Sequence, residues 1–233
     1  MIWEQLTDYD ALSARAAKIL LGAISQNPGL VLGLPTGRTP TGMYQRVVQE
    51  CNLEYHCFRD VTTFNLDEYV GIPREHDGTY FTYMKHNLFD HVDIDPSRAH
   101  IPNGNARDLD MECRHYEQEI EDIGGIDLTF LGLGRNGHIG FNEPGTPFRS
   151  RTRVVELSDS TRVANASHFP DGHVPSQAIT IGIATILTSK RIVLLATGPG
   201  KQDAIARLRL REISVDFPAS ALWTHANVHV LVA

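Results

Sequence analysis

Short apolar runs alternate along the chain with longer segments in which apolar residues recur every three or four positions. Short runs are typical of buried β-strands, and the three- to four-residue spacing is that of an amphipathic helix. Segment 9–25 shows the helical pattern, with Leu12, Ile19 and Leu20 on one face and Asp8 as a candidate N-cap. The alternation predicts an α/β protein with a parallel sheet and covering helices.

The predicted elements fill the chain without an internal repeat or an obvious linker. Strands are predicted at 30–34, 61–65, 127–133, 153–157, 178–181, 191–196 and 228–232. Helices are predicted at 9–25, 40–50, 79–90, 108–122 and 201–209, with a short one near 219–223. Ligands of such sheets bind beyond the carboxyl ends of the strands, so we expect a site in the segments that follow them.

Composition narrows the class of protein. A chain of 233 residues that is 42% hydrophobic fits one domain, residues 1–233, with a core that needs no disulfides. Cys51, Cys57 and Cys113 form no CxxC pair and are predicted to be reduced thiols. We expect a cytoplasmic protein, because there is no signal-peptide pattern and no membrane-length apolar run. The formal net charge of −7 argues against nucleic-acid binding.

Two strand-to-helix turns carry the features of a phosphate site. In the first, Gly37 allows a tight turn, Thr36 and Thr39 offer hydroxyls, Arg38 offers a cation, and Pro40 suits a first helical turn. The free N–H groups of a helix start would then face an anion. An ordinary strand-to-helix turn is the alternative interpretation.

The second such turn is segment 197–202, which follows the predicted strand 191–196. It holds two glycines and then Lys201, which could neutralise a phosphate as a point charge. Because both turns follow parallel strands, one phosphate could be held from both sides.

A third glycine-rich segment has the glycine spacing of a dinucleotide-binding motif. Gly132, Gly134 and Gly137 have GxGxxG spacing directly after a predicted strand. That motif needs a helix after its third glycine, but Pro144 and Gly145 follow closely and oppose one. We therefore exclude nicotinamide and flavin binding here.

Candidate acid–base residues follow two strands. Asp67 and Glu68 lie where the second predicted strand ends, so that at least one carboxylate can face the cleft, although a helix-capping role is an alternative. His138 and Glu143 share a glycine-rich loop, and a carboxylate can fix the tautomer of a histidine and raise its basicity. No metal-binding motif is evident, and His225 and His229 are interpreted as packing or surface residues.

At these same segments the sequence resembles the glucosamine-6-phosphate deaminase family. The motifs are LPTGRTP at 34–40, TFNLDEYVG at 63–71, IPNGNA at 101–106, GLGRNGHIGFNEPG at 132–145 and FPAS at 217–220. They span almost the whole chain in family order. The resemblance implies a three-layer α/β/α Rossmann-like fold, with a mostly parallel sheet and a helical or loop lid. It also implies isomerising deamination of glucosamine 6-phosphate to fructose 6-phosphate and ammonia, without a cofactor.

The resemblance also implies roles for individual residues. Asp67 would move a proton between carbons 2 and 1 of the sugar, and His138 would transfer a proton at the ring oxygen. Glu143 would orient and polarise His138. Asn136, at a position that is aspartate or asparagine in the family, would hydrogen-bond and orient. The phosphate would be held by Thr36, Gly37, Arg38, Thr39 and Lys201, under a lid formed by residues 145–174.

The sequence departs from the family pattern at several points. Ser167 stands where relatives carry a lid arginine that helps to bind phosphate, and Arg38 stands where many carry a small residue. We hypothesise that Arg38 compensates for the missing arginine. Val155 replaces a basic residue of the allosteric relatives, and the chain ends at Ala233, short of their C-terminal extension. We therefore expect no activation by N-acetylglucosamine 6-phosphate.

Two rival functions share the predicted scaffold. A 6-phosphogluconolactonase has a related Gly-His segment, but Asp67-Glu68-Tyr69 and the sequence after His138 fit a deaminase better. A non-catalytic sugar-phosphate-binding regulator would usually carry a DNA-binding segment or lose the acid–base residues. The sequence leaves open whether the protein is a monomer or a homo-oligomer.

Overall fold

The computed structural model describes residues 1–53, 58–166, 169 and 172–233. Ten strands occur in this part of the chain, and their bounds lie close to most of those expected from the sequence. They are β1 Ile2–Gln5, β2 Val31–Leu34, β3 Thr62–Asn65, β4 Asp67–Tyr69, β5 Ala99–His100, β6 Leu128–Gly132, β7 Arg153–Glu156, β8 Gln177–Thr180, β9 Arg191–Ala196 and β10 Val228–Val232.

Seven α-helices accompany the strands in the described residues. They are α1 Tyr9–Gln26, α2 Arg38–Leu53, α3 Tyr80–Asn87, α4 Leu109–Asp122, α5 Asp159–Asn165, α6 Ile183–Leu187 and α7 Gln202–Arg209. The predicted N-cap of α1 is confirmed, because the Asp8 carboxylate accepts the N–H of Ala11 at 2.8 Å. The short helix expected near 219–223 is the 3₁₀-helix Pro218–Thr224.

Seven strands form one parallel sheet in the order β1-β10-β9-β6-β2-β3-β5. One core cluster packs α1, α2 and α3 against one face through residues such as Leu20 and Met43. A second cluster packs α4, α6 and α7 against the other face through residues such as Tyr116 and Leu208. The predicted three-layer α/β/α fold with a mostly parallel sheet is confirmed.

Three strands form a separate antiparallel sheet in the order β4-β8-β7. The pattern of the chain had suggested that β7 and β8 extend the parallel sheet, and this interpretation is wrong. β8 is almost fully buried, so its apolar run looks like that of a parallel strand, although its hydrogen-bonding partners are β4 and β7. Hydrophobic pattern records burial but does not identify the strand that is paired.

The sequence pattern missed β1, β4, β5, α5 and α6. β1 lies at the edge of the sheet and is only partly buried, so its apolar alternation is weak. β4 has three residues, and two of them are acids. Such a composition is typical of a loop, although all three residues are buried. Pairing with β8 makes this segment a strand, and that pairing joins parts of the chain more than a hundred residues apart.

Two further sequence expectations concern cysteines and membranes. Cys51 and Cys113 are buried free thiols, and Cys57 lies outside the described residues. Among the described residues, no helix is both long and apolar enough to cross a membrane.

Candidate active site

The carboxyl ends of four neighbouring parallel strands lie at one edge of the large sheet. β6 lies between β9 and β2, and β3 follows β2. The segments 35–39, 66–68, 133–145 and 197–201, which follow these strands, therefore meet at one place. All the residues proposed from the sequence as catalytic or phosphate-binding lie in these four segments.

Asp67 is a buried carboxylic acid in the short strand β4. It pairs with Thr180 of β8, and a methyl group at Gly140 would lie 3.5 Å from its Oδ2 atom, so the carboxyl faces the glycine-rich loop. Burial, together with the nearby charge of Glu68, raises the pKa of Asp67 from 3.8 to about 8. A carboxyl group with such a pKa can both take and return a proton near neutral pH.

Glu68 is also buried, but its carboxylate is occupied by backbone donors. It accepts the N–H groups of Tyr69 at 2.7 Å, Tyr80 at 3.0 Å and Phe81 at 2.8 Å. Burial raises the pKa of Glu68 to about 7, and these hydrogen bonds oppose the rise. Of the two candidate carboxylates, Glu68 therefore anchors the start of α3, and Asp67 is the one near the loop.

His138, Glu143 and Asn136 form one cluster in the loop after β6. His138 Nδ1 lies 3.6 Å from Glu143 Oε1, an ion-pair distance beyond a hydrogen bond. The Asn136 amide donates to Glu143 Oε2 at 2.6 Å, and its carbonyl oxygen accepts the backbone N–H of His138 at 3.2 Å. The asparagine thus contacts the Glu143 carboxylate and the His138 backbone, and its orienting role stays a prediction.

Glu143 is held in its charged form. The His138 ring, the Thr161 hydroxyl and the Asn136 amide lower the pKa of Glu143 to about 2, against the opposing effect of burial. Thr161 donates its hydroxyl to Oε1 at 2.7 Å from helix α5. Sequence reasoning missed Thr161, although the side-chain cap of Ser158 three residues earlier is a readable helix-start signal.

The glycines of this loop let the backbone lie against the histidine. Gly134 lies so close to His138 that an added methyl group would overlap the imidazole ring, and its N–H donates to the His138 carbonyl at 2.8 Å. No helix occurs within residues 133–152, all of which the structure describes. The expectation that this GxGxxG segment is not a strand–turn–helix dinucleotide motif is therefore confirmed in its geometry.

Tyrosine side chains form hydrogen bonds with the first proposed phosphate turn. Gly37 has a φ of +97°, and its carbonyl accepts the Tyr83 hydroxyl at 2.8 Å. Thr36 shares a side-chain hydrogen bond with Tyr80. Arg38 begins α2 with an exposed side chain, and Thr39 follows it. Phosphate binding by this turn stays a prediction.

The second proposed phosphate residue, Lys201, precedes α7. Its ammonium group donates to the carbonyl of Leu133 at 2.5 Å, which places it at the end of β6, beside the loop of His138. Burial, and then the nearby Arg135, lower the pKa of Lys201. A half-buried cation at this point suits a dianionic ligand.

The predicted lid, residues 145–174, contains β7 and α5. Two of its apolar side chains, Phe169 and Val174, pack with Tyr69 and Phe141 in a third core cluster. Phe169 lies edge-on to Tyr69, with ring centroids 5.1 Å apart. Ser167, the departure at the usual arginine position, lies outside the described residues.

Other polar clusters and cavities lie away from this edge. The described residues contain no group of three or more His, Cys, Asp or Glu side chains that could hold a metal ion. His225 bonds the Ser189 carbonyl at 2.7 Å and His229 lies 3.0 Å from Glu4, as expected of packing residues. A cavity of about 720 Å³ is lined by α1, α2, Pro28 and Asp60. The last two precede strands, so the cavity lies toward the opposite edge of the sheet.

Comparison with known proteins agrees with the geometry. The sequence model of the glucosamine-6-phosphate isomerases/6-phosphogluconolactonase family matches residues 7–231. Glucosamine-6-phosphate deaminase 1 of Bacillus subtilis (strain 168) is 51% identical over 96% of this chain and 93% of its own length. The glucosamine-6-phosphate deaminase of Lysinibacillus sphaericus (strain C3-41) is 50% identical over 99% and 98% of the two chains.

Solved structures divide into near and distant relatives. A monomeric glucosamine-6-phosphate deaminase superposes with a TM-score of 0.97 at 49% identity, covering 100% of this chain and 97% of that one. A 6-phosphogluconolactonase from Thermotoga maritima reaches a TM-score of 0.76 at 18% identity, covering 100% and 99%. The second likeness shows the fold alone.

Proposed function

Because this chain belongs to the glucosamine-6-phosphate isomerase/6-phosphogluconolactonase family, and within it to the glucosamine-6-phosphate deaminases, we propose that it converts glucosamine 6-phosphate and water to fructose 6-phosphate and ammonia. The observation that supports this chemistry best is Asp67, a buried acid with a pKa of about 8 beside the loop of His138. We also propose that the enzyme acts as a cytoplasmic protein, without a metal ion or other cofactor.

The first step is opening of the sugar ring. The anomeric hydroxyl loses a proton, the bond between carbon 1 and the ring oxygen breaks, and the ring oxygen gains a proton. His138 is suited to carry this proton, because Glu143 faces its Nδ1 and leaves Nε2 for the substrate. Glu143, with a pKa of about 2, stays anionic and stabilises the imidazolium form.

The second step moves a proton between two carbons. In the open aldehyde, the carbonyl at carbon 1 acidifies the proton on carbon 2, which carries the amine. Asp67 in its ionised form takes that proton and gives an enolamine. Returning it to carbon 1 gives an imine at carbon 2. Asp67 is suited to both transfers, because its raised pKa makes the carboxylate a stronger base than an exposed aspartate.

The third step is hydrolytic. Water adds to the imine carbon, and the carbon–nitrogen bond breaks with release of ammonia, which leaves a ketone at carbon 2. The reaction needs no external oxidant or reductant, because carbon 1 of the sugar is reduced while carbon 2 is oxidised. The activity is therefore an aldose–ketose isomerisation joined to a hydrolytic deamination.

Lactone hydrolysis is the rival within the same fold. A lactonase needs a base for water but no acid–base group that returns a proton to a sugar carbon. Asp67 is placed to serve as that group, but a base with a raised pKa also activates water, so its pKa does not separate the two reactions. The roughly 50% identity to deaminases over nearly the whole chain favours deamination.

The direct test is incubation of the purified protein with glucosamine 6-phosphate, with ammonium and fructose 6-phosphate measured together. We expect equal molar release of both. Parallel reactions with 6-phosphogluconolactone and with glucosamine 6-phosphate lacking enzyme give the two controls. Folded protein that releases no ammonium at millimolar substrate would contradict the proposal, and hydrolysis of the lactone instead would establish the rival.

Arg38 provides a second test, of the phosphate site. We propose that this exposed cation at the start of α2 binds the substrate phosphate in place of the family's lid arginine. Arg38→Ser is then expected to raise the Michaelis constant at least about tenfold, equivalent to about 1.4 kcal/mol or more, with kcat changed much less.

A matched control for Arg38 lies eight positions later on the same helix. Arg46 pairs with Asp10 on the surface, so Arg46→Ser is expected to leave the Michaelis constant within about twofold. Initial-rate kinetics of the three proteins decide the matter. An unchanged Michaelis constant for Arg38→Ser would refute the compensation hypothesis without touching the proposed reaction.

A further inference from the structure

Helix α5 of the lid segment reaches the acid–base pair through a threonine. Thr161 donates its hydroxyl to Glu143 Oε1 at 2.7 Å, and Oε1 is also the oxygen that lies 3.6 Å from His138 Nδ1. Glu143 and Thr161 are 18 positions apart, and they belong to the loop after β6 and to α5. The contact therefore joins the lid to the residue that faces the histidine.

The direction of the Thr161 hydroxyl is fixed by its neighbours. Ser158 donates its hydroxyl to Thr161 Oγ1 at 3.0 Å, and the Thr161 backbone N–H donates to Ser158 Oγ at 3.2 Å. Because Thr161 Oγ1 already accepts a hydrogen bond, its own single proton is directed to Glu143. The capping turn of α5 thus ends in a donor aimed at one carboxylate oxygen.

The two oxygens of Glu143 are held from different parts of the molecule. Asn136 donates to Oε2 from the same loop, and Thr161 donates to Oε1 from the lid helix. Without Thr161, the sole contact that Oε1 would keep among the described residues is its longer one to His138, and the carboxylate would be free to turn about Asn136. A carboxylate that turns can no longer select the protonated nitrogen of the imidazole.

We propose that Thr161 is a positioning residue, which orients Glu143 toward His138 and makes the acid–base pair depend on docking of the lid helix. The inference rests on the proposed function for its kinetic consequence. Its structural content concerns only where the His138 ring carries its proton. Glu143 should favour the tautomer protonated at Nδ1, and leave Nε2 able to accept a proton from substrate.

The test uses Thr161→Val, which removes the hydroxyl and keeps the shape, and Thr161→Ser, which restores it. ¹⁵N NMR of the His138 ring, at a pH where it is neutral and without substrate, reports the tautomer. We expect a ring protonated mainly at Nδ1 in the unaltered enzyme and in Thr161→Ser. In Thr161→Val, the two nitrogen signals should move toward the averaged values of free imidazole.

Kinetics supply the second measurement. Thr161→Val is expected to lower kcat about tenfold with the Michaelis constant within about twofold, and Thr161→Ser should recover most of the loss. Ser158→Ala, which removes the group that directs the hydroxyl, should shift both the spectrum and kcat in the same direction by a smaller amount. Val163→Ala, an exposed change on the same helix, is the control and should alter neither.

The outcomes separate the two proposals. An unchanged His138 spectrum in folded Thr161→Val would overturn the positioning role, whatever the enzyme's substrate. A higher Michaelis constant with unchanged kcat would also overturn the positioning role. Such a result would mean that Thr161 acts in closing the lid over the phosphate. An altered spectrum in a protein that releases no ammonium would uphold the positioning role and reject deamination.

Discussion

Replacing Asp67 with asparagine should abolish ammonium release and also make the folded protein more stable at pH 8. The amide has nearly the same shape as the carboxyl group but cannot accept the proton from carbon 2. Loss of a general base typically costs about 10²–10⁴-fold, and because the proposed mechanism gives Asp67 two successive transfers we expect a fall in kcat of about 10³-fold or more. Coupled measurement of ammonium and fructose 6-phosphate checks this part.

The gain in stability follows from the raised pKa. The folded state holds the Asp67 proton up to about pH 8, whereas an unfolded aspartate releases it near 3.8. Between these pH values the native protein binds more protons than the unfolded chain, so its free energy of unfolding falls as pH rises. The amide of Asp67→Asn carries no such charge, so this variant should gain roughly 2–5 kcal/mol at pH 8 and almost nothing near pH 4.

Chemical denaturation at pH 4.5 and pH 8 measures this difference. Asp60→Asn, a change at an exposed aspartate before β3, is the control and should show little pH-dependent gain. Suppose Asp67→Asn were inactive but no more stable than the unaltered protein at pH 8. Burial of the charged carboxylate would then not lower the free energy of unfolding. The base would then act with an ordinary pKa, and the explanation of its strength would have to change.

Gly104→Ala should damage both stability and activity, although Gly104 lies outside the acid–base cluster. A methyl group there would overlap the Tyr69 carbonyl oxygen and lie 2.9 Å from its carbonyl carbon. These are backbone atoms of β4, two positions after Asp67, and they cannot move away as the end of a flexible side chain could. We expect a loss of about 2–4 kcal/mol in the free energy of unfolding.

The accompanying loss of activity should come from displacement of β4. The segment around Gly104 holds the chain directly after this strand, since the Gly104 carbonyl accepts the N–H of Gly71 at 3.0 Å and Asn105 donates to the Ile72 carbonyl at 2.5 Å. A shift of about 1 Å in a catalytic group can cost about 10²-fold, so we expect kcat to fall at least about tenfold in protein that is still folded.

Gly22→Ala is the matched control for this substitution. Gly22 lies within α1, where an added methyl group would approach no described residue within 4 Å apart from the backbone of the helix itself. Alanine there should stabilise the protein by about 0.5–1 kcal/mol and leave kcat unchanged. Thermal unfolding and initial rates of both variants give the comparison. A Gly104→Ala protein as stable and active as the Gly22→Ala protein would contradict this role of Gly104 in keeping β4 in position.

The Gly104 contact also gives the IPNGNA motif, residues 101–106, a place in the structure. In the sequence it follows no long strand and carries no acid–base group, so it could be noted but not interpreted. The structure gives the motif a role in packing, because Gly104 lies against the backbone of β4, the strand that carries Asp67. Glu68 has a comparable role, since its carboxylate accepts the N–H groups of Tyr80 and Phe81 and so ties β4 to the start of α3.

Local features of the sequence were enough to predict the class of fold and most of the candidate chemistry. Helical spacing and caps are local properties, so α1 and α4 could be placed within a residue or two. The residues after the strands were enough to select His138 with Glu143 and the pair Asp67 and Glu68 as candidates, and the family resemblance then singled out Asp67. Exclusion of a dinucleotide site followed from local backbone preferences alone.

Tertiary structure decided the rest, because these features depend on residues far apart in the chain. Asp67 and Glu68 are neighbours of the same type, and only the pairing of β4 with β8 directs one to the loop and the other to α3. The raised pKa of Asp67 depends on burial of its carboxyl group, which the polar sequence of β4 does not reveal. Thr161 joins the site only because α5 docks on Glu143, so its role could be found from contacts but not from spacing.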